Sequence, residues 1–223
     1  MRDLSVTLPS PSEIGDFQHC PFQWWMRWRE GVRVRKGAVA ALSGQGISEG
    51  LAAFYLERGS PLEVYEGFMV ERWKDQVGVT EEEWEGQMAL DMAALSLFAT
   101  TQPRLEQGWK RVIASQEKIE GVVRCIPDLV VELEDGRVHP EEWKCISPWA
   151  ELEYEKLAHE MGYQALLYSV MVERAYKMPC TSVGMKWLVR GKGASGKYKA
   201  TAPSIESHVI HVEDWKKEMV EEG

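Results

Sequence analysis

Paired cysteines are missing from this sequence. Its four cysteines, Cys20, Cys125, Cys145 and Cys180, are scattered and form no CxxC. That excludes a disulfide framework or a zinc ribbon and predicts reduced, buried thiols. No apolar run approaches the roughly 20 residues of a membrane span, so no membrane partner is expected. The first residues lack the charged-then-apolar order of a secretory signal, and the expected location is the cytoplasm. The glycine-rich loop at Gly191, Gly193 and Gly196 has no GK[ST] at Walker spacing and does not join a strand to a helix, so it is not a P-loop. No internal repeat and no linker interrupts the 223 residues, which predicts one domain over 1–223.

Positive charge is also in short supply. Lys and Arg number 26 against 35 Asp and Glu, a net charge of −9, which on the whole-molecule balance argues against a nucleic-acid partner. Distribution counts for more than the sum. Residues 27–36 hold five basic residues, among them Arg27, Arg29, Arg33 and Arg35, and one acid. Residues 174–205, including Lys192 and Lys197, contain no acid at all. A basic path across an acidic protein fits this segregation, and so does ordinary solvated surface charge.

What is present is a patterned stretch from Arg124 to Lys144. Ile126 to Leu133 is rich in β-branched and aliphatic residues, Glu134-Asp135-Gly136-Arg137 is a turn signal, and a second short strand follows, which together predict a β-hairpin. Side chains alternate along a strand, so Glu142 and Lys144 project from one face with Trp143 between them on the other. Asp128 on the first strand can join them. A two-residue turn at Asp135-Gly136 would set it opposite Trp143, on the wrong face. A bulge near His139-Pro140 is therefore expected to correct the register, because proline is tolerated at bulges; a three-residue turn serves equally well. Two carboxylates and a lysine at one spot form a divalent-metal site with a cationic partner, one way to hydrolyse a phosphodiester.

The rest of the chain supplies helices around this hairpin. Ser10-Pro11 begins a short helix to about Cys20, and Phe22 to Glu30, dense in aromatics and arginine, forms another. Gly44 to Leu56 reads as a helix whose Gln45, Ser48 and Glu49 can face a cleft. Residues 61–76 and 81–101 give two amphipathic helices without a chemical motif, a helical insertion spanning about 57–105. Val112 to Glu117 is a strand. Trp149 to about Lys177 is a long helix on which Gln164 and Tyr168, four apart, share a face. Cys180 to Val189 and Ser207 to Val212 are strands, and Val212 to Glu221 a last helix.

Four stretches taken together resemble the RecB-like branch of the PD-(D/E)XK nuclease superfamily, which includes CRISPR-associated RecB-like exonucleases and single-domain phage nucleases. Ser10-Pro11-Ser12 with Phe17 and Cys20-Pro21 is similar to its amino-terminal signature. Gly44 to Leu51 resembles its GxxxHxxL helix, Pro127-Asp128 with Glu142-Trp143-Lys144 its metal motif, and Gln164 to Tyr168 its QxxxY helix. The resemblance implies an α/β, restriction-endonuclease-like core: a mixed central sheet flanked by helices, here with the helical insertion. It implies a Mg²⁺- or Mn²⁺-dependent DNA nuclease, a hydrolase and more specifically an exonuclease. DNA would be the substrate, and a recombination or replication protein a partner. Asp128, Glu142 and the main-chain carbonyl of Trp143 would bind metal; Lys144, Gln164 and Tyr168 would complete the catalytic group; Glu117 is a further acidic candidate. Ser48 stands where the family has a histidine, so either the adjacent Glu49 serves as a ligand, or the metal is held without this helix, or catalysis is weak. The alternative reading is a nucleic-acid-binding or interaction module of the same fold with impaired catalysis. The cysteine spacing does not match the family's four-cysteine iron–sulfur cluster.

Overall fold

The computed structural model of the chain describes residues 8–32, 38–73, 79–121, 123–146, 162–191 and 202–212. Its elements run α1 (Pro11–His19), α2 (Pro21–Trp24) continued by a π-helical turn (Trp25–Arg29), α3 (Ala38–Tyr55), α4 (Pro61–Trp73), α5 (Glu81–Thr101), β1 (Trp109–Ala114), β2 (Ile119–Glu120), β3 (Arg124–Cys125), β4 (Leu129–Leu133), β5 (Val138–Ile146), α6 (Gly162–Tyr176), β6 (Ser182–Val189) and β7 (Ser204–His211). The central sheet has five strands in the order β1-β4-β5-β6-β7, and β2 and β3 form a separate ribbon. Neighbours are antiparallel except β5 and β6, which are parallel and are separated in sequence by the crossover that carries α6. This mixed sheet between helices is a restriction-endonuclease-like α/β fold. Among the described residues no helix is long and apolar enough to cross a membrane.

Alternation along the strands sorts side chains between two helical layers. Leu129, Val131, Trp143 and Leu188 face α3, α4 and α5, where they pack with Ile47, Leu51, Phe54, Tyr65, Leu95 and Phe98. Val130 and Val138 face the other way and pack with Leu167, Tyr168, Met171 and Val172 of α6. Two of the helices begin on side-chain caps. Ser10 caps α1, its side chain accepting from the N–H of Glu13, and Thr80 with Glu83 forms a reciprocal capping box at α5.

The hairpin forms, but by the simpler of its two routes. Leu129 pairs with Glu141, Val130 with Pro140, Val131 with His139 and Glu132 with Val138, without a shift in register. The bulge expected near His139-Pro140 is absent. The turn itself supplies the correction: Leu133 N–H donates to Arg137 O, leaving Glu134, Asp135 and Gly136 as a three-residue loop. Gly136 has φ +84°, the left-handed conformation such a loop requires. Pro140 costs the ladder nothing, because it falls at a non-hydrogen-bonded pair with Val130 and pairing to β6 begins only at Glu141. The irregularities sit on β1 instead, with register shifts at residues 109–111 and 112–114. There an edge strand can bend freely.

Other boundaries move for physical reasons. Helix α3 starts at Ala38, six residues before the expected Gly44, because residues 38–43, rich in alanine and free of glycine, favour helix. A Cβ on Gly46 would lie 3.0 Å from both Phe68 and Tyr65, so Gly46 lets α4 lie close against α3. Strand β1 lies three residues earlier than expected, and β4 starts only after Pro127-Asp128. The beginning of the long helix and residues 213–221 of the expected last helix fall outside the described residues; Val212, its expected first residue, is buried and not helical. None of the four cysteines is in a disulfide; Cys125 and Cys180 are buried, and Cys20 and Cys145 are partly so.

Candidate active site at the end of the hairpin

The site lies where β4 ends and β5 continues. Extending the hairpin register by one pair sets Asp128 opposite Glu142, so Asp128, Glu142 and Lys144 share the face that α6 covers. Trp143 points the other way. It is 4% exposed and stacked on Tyr55 of α3, with ring centroids 5.5 Å apart. A buried aromatic on one face thus fixes the two polar side chains on the other. Since β4 has not begun at residue 127, the Trp143 N–H finds no strand partner; it donates instead to Asp128 Oδ2 at 2.8 Å. The N–H and C=O of one strand residue point to the same side, so the Trp143 carbonyl also faces the edge where Asp128 sits.

Glu142 is the centre of the hydrogen-bond network. One carboxylate oxygen, Oε1, accepts from Lys144 Nζ and from Gln164 Nε2, the latter at 2.9 Å. The Gln164 amide also donates to the Tyr168 hydroxyl at 2.8 Å, and that hydroxyl donates to the main-chain carbonyl of Ile126 at 3.4 Å. The pair four apart on α6 therefore orients Glu142 from above and the Pro127-Asp128 loop from the side. The main chain around Asp128 is held in turn: Ser115 Oγ donates to its carbonyl at 2.7 Å, and the N–H of Gln116, at φ +52°, donates to the carbonyls of Pro127 and Asp128 at 3.2 Å.

Helix α3 brings Ser48 to the site. Its hydroxyl lines the cavity and favours the charged form of the Asp128 carboxyl, whereas Glu49 is exposed at the rim of the same cavity. The cavity, about 540 Å³, is lined by Gln45, Ser48 and Glu49 from α3, by Phe68 and Arg72 from α4, and by Gln116, Ile126, Asp128 and the Glu142–Cys145 segment. Phe68, Arg72, Gln116 and Ile126 were not candidates on sequence. Gln116 beside Glu117 had a signal, an end-of-strand position before the hairpin. Arg72 had none, because only the packing of α4 on α3 brings it there.

The remaining candidates lie elsewhere. Arg27 pairs with Asp16 at 2.9 Å and Arg29 with Glu13 at 3.8 Å; neither lines the cavity. Glu117 is exposed and accepts from the Tyr176 hydroxyl at 2.8 Å. Arg33, Arg35, Lys192 and Lys197 are outside the described residues.

The electrostatics favour a cation between the carboxylates. Burial, and then the neighbouring Glu142, push the Asp128 carboxyl up to about 8, against the opposing effects of the Trp143 N–H, Lys144 and Ser48. Lys144 is held above its ordinary range: burial opposes its charge, but Glu142 and then Asp128 outweigh it. Among the described residues no group of three or more His, Cys, Asp or Glu side chains could hold an ion by itself. Two crowded carboxylates and a main-chain carbonyl form a sparse, hard oxygen set. It fits an ion that keeps several waters, as Mg²⁺ does, and not a soft-ligand metal.

A pH signature follows. The folded chain retains on Asp128 a proton that the unfolded chain loses near pH 4. The corresponding stability is full below that pH and is lost as pH rises through about 8. A metal ion held at Asp128 would compete with that proton. In thermal melts, Mn²⁺ is expected to raise the melting temperature more at pH 8 than at pH 5.5, and Asp128→Asn to abolish the difference. A metal shift independent of pH in the wild type would contradict the assignment.

A sequence model of the PD-(D/E)XK nuclease superfamily matches residues 9–222. Comparison with curated proteins finds no match.

Proposed function

The chain belongs to the PD-(D/E)XK nuclease superfamily, and on that premise we propose that it is a Mg²⁺- or Mn²⁺-dependent deoxyribonuclease of the RecB-like branch that degrades DNA from an end. The domain is taken as one, with 57–105 as a helical insertion, acting in the cytoplasm. The observation that supports the reading is that Asp128, Glu142 and Lys144 line one cavity, with Gln164 hydrogen-bonded to Glu142 and to Tyr168 behind them.

Asp128, Glu142 and the carbonyl of Trp143 would hold the ion, which when bound supplies charge neutralisation at the phosphate and a more acidic water. The protein's own groups do the rest. The Lys144 ammonium, kept charged by the two carboxylates, is positioned to donate to the attacked phosphate and to offset the negative charge that develops there. Gln164 fixes the Glu142 carboxylate, so its orientation is set before substrate arrives. The Tyr168 phenol, with its pKa raised well above the ordinary value by burial and then by Glu142, stays protonated and remains a donor.

One observation favours the second reading, a binding module with impaired catalysis. At position 48 a hydroxyl, not an imidazole, lines the cavity with Asp128, and a neutral hydroxyl is the poorer ligand. Incubation with end-labelled linear and closed circular DNA, in Mg²⁺, in Mn²⁺ and with chelator, separates the possibilities. Stepwise shortening of linear DNA, an intact circle and complete loss with chelator are expected. A nicked or linearised circle would replace the exonuclease reading with an endonuclease. Retention of DNA without cleavage in either metal would favour the binding module.

A further inference from the structure

We propose that β7 is the surface on which two copies of this chain join, edge to edge and antiparallel, with Ser207 of one copy opposite Ser207 of the other. The inference does not depend on the nuclease reading.

The two outer strands of the sheet are unlike. Strand β1 carries Lys110 and Arg111, with side chains 58% and 66% exposed, and its pairing with β4 is interrupted twice. Charge and irregularity are the devices that keep an outer strand from recruiting another chain. Strand β7 has neither. It pairs with β6 through eight consecutive residues without a shift in register, and from Ser204 to His211 it holds no Lys, Arg or Pro. Among the described residues it has a strand neighbour on one side only.

The hydrogen bonds to β6 show which groups point outward. Val212 N–H donates to Thr181 O at 2.8 Å, and those two residues lie opposite each other when the β6–β7 register is extended by one pair. The even-numbered residues of β7 therefore bond to β6, and alternation turns the N–H and C=O of Ile205, Ser207, Val209 and His211 outward. The side chains of Ser207, Val209 and His211 are exposed, Val209 at 46%.

The order of residues along β7 selects a second copy as the occupant. A two-fold axis normal to the sheet keeps each face continuous, so odd residues meet odd and even meet even. Centred on Ser207, it makes the outward-pointing residues meet one another, as a hydrogen-bonded ladder requires. It sets Ile205 opposite Val209 on the face where Ile205 packs against the α3–α5 core. It sets Glu206 opposite His208 on the other face. Symmetry forms each pair twice, and apolar and carboxylate–imidazole pairs of this kind stabilise a sheet. A centre one residue earlier sets Glu206 against Glu206; one residue later sets it against Ile210. The Ser207 register alone of these three gives the carboxylate a complementary partner. It fuses the two five-stranded sheets into one, with the Asp128, Glu142 and Lys144 faces of both copies on the same side.

A strand-to-strand contact is smaller than a standard interface, so the dimer is expected to be reversible. The test is the mass of the full chain in solution, by sedimentation equilibrium over a concentration series reaching the high micromolar range. Ser207→Pro removes an outward N–H and leaves the bonds to β6 in place, a change an outer strand tolerates. Val209→Lys sets an ammonium opposite Ile205. Each defect occurs twice at the two-fold axis, so each variant is expected to weaken dimerisation on the order of tenfold or more, with the circular dichroism of the wild type. In Ser207→Cys the two Cα atoms of the central pair lie about 5.5 Å apart, within disulfide range. Mild oxidation should therefore yield a covalent dimer that the wild type, with its own four cysteines, does not give. Three results would overturn the proposal: a monomeric wild type at the highest concentration, a dimer equally tight in Val209→Lys, or no more cross-linking in Ser207→Cys than in the wild type.

Discussion

Asp128→Asn and Glu142→Gln are each expected to slow metal-dependent cleavage on the order of a thousandfold. Each amide is close to isosteric and removes one anionic oxygen donor, and metal-based charge stabilisation of this kind contributes several kcal/mol, at about 1.4 kcal/mol per factor of ten in rate. The two changes differ in a second respect. Asp128 is held by the Trp143 N–H, so Asn keeps most of its surroundings and loses chiefly metal affinity. Glu142 is also the anchor of Lys144 and Gln164. Its amide frees the lysine and should shift kcat as well as the metal requirement. Raising Mn²⁺ is therefore expected to rescue Asp128→Asn more fully than Glu142→Gln. Rate measurements across a Mn²⁺ series check this, and equal rescue of both would contradict the division of roles.

The second large effect lies beneath the cavity. Asp91 of α5 is fully buried and accepts from Arg190, from the Ser43 and Tyr65 hydroxyls and from Gln87, with Tyr65 OH at 2.7 Å and Gln87 Nε2 at 3.1 Å. Arg190 also donates to Ser43 at 2.7 Å. This one carboxylate ties α3, α4 and α5 to the chain just after β6. It reaches the site too, since Cys145, next to Lys144, lies 3.9 Å from it. Asp91→Ala leaves a buried guanidinium without a counter-charge, at a cost of about 3–5 kcal/mol. At about 2–4 °C per kcal/mol for a chain of this size, the melting temperature should fall by roughly 6–20 °C. Replacing Asp91 and Arg190 together by Leu and Met should cost much less, because no charge is then left unpaired. A drop of under 2 °C in the single variant would show the network to be dispensable.

The parts of the site that were legible in the sequence are those set by local rules. Alternation put Glu142 and Lys144 on one face because the period of a strand is fixed. The i, i+4 spacing of Gln164 and Tyr168 on a helix worked for the same reason. The hairpin register was only half legible: Asp135-Gly136 announces a turn but does not say whether the loop has two residues or three, and that single residue decides the face of Asp128. Ser48 and Glu49 could not be separated, since neighbours on a helix diverge by about 100° and only the docking of α3 decides which turns inward. Arg72 and Phe68 were invisible, because they reach the cavity through a close contact at Gly46 between α3 and α4. Arg27 and Arg29 stood out as a basic run, but the acids that pair with them, Asp16 and Glu13, come from the preceding helix. Local period and spacing are written in the sequence; contacts between elements are not.

Glu142 and Lys144 are the residues on which the proposed chemistry depends. The most direct measurement is the initial rate of cleavage of end-labelled DNA, single- and double-stranded, by the wild type, Glu142→Ala and Lys144→Ala in Mg²⁺ and in Mn²⁺. The prediction is metal-dependent cleavage by the wild type and its near-complete loss in both variants, with their folds intact by thermal melting. Metal-dependent cleavage that persists in both variants would place the active site elsewhere in the chain.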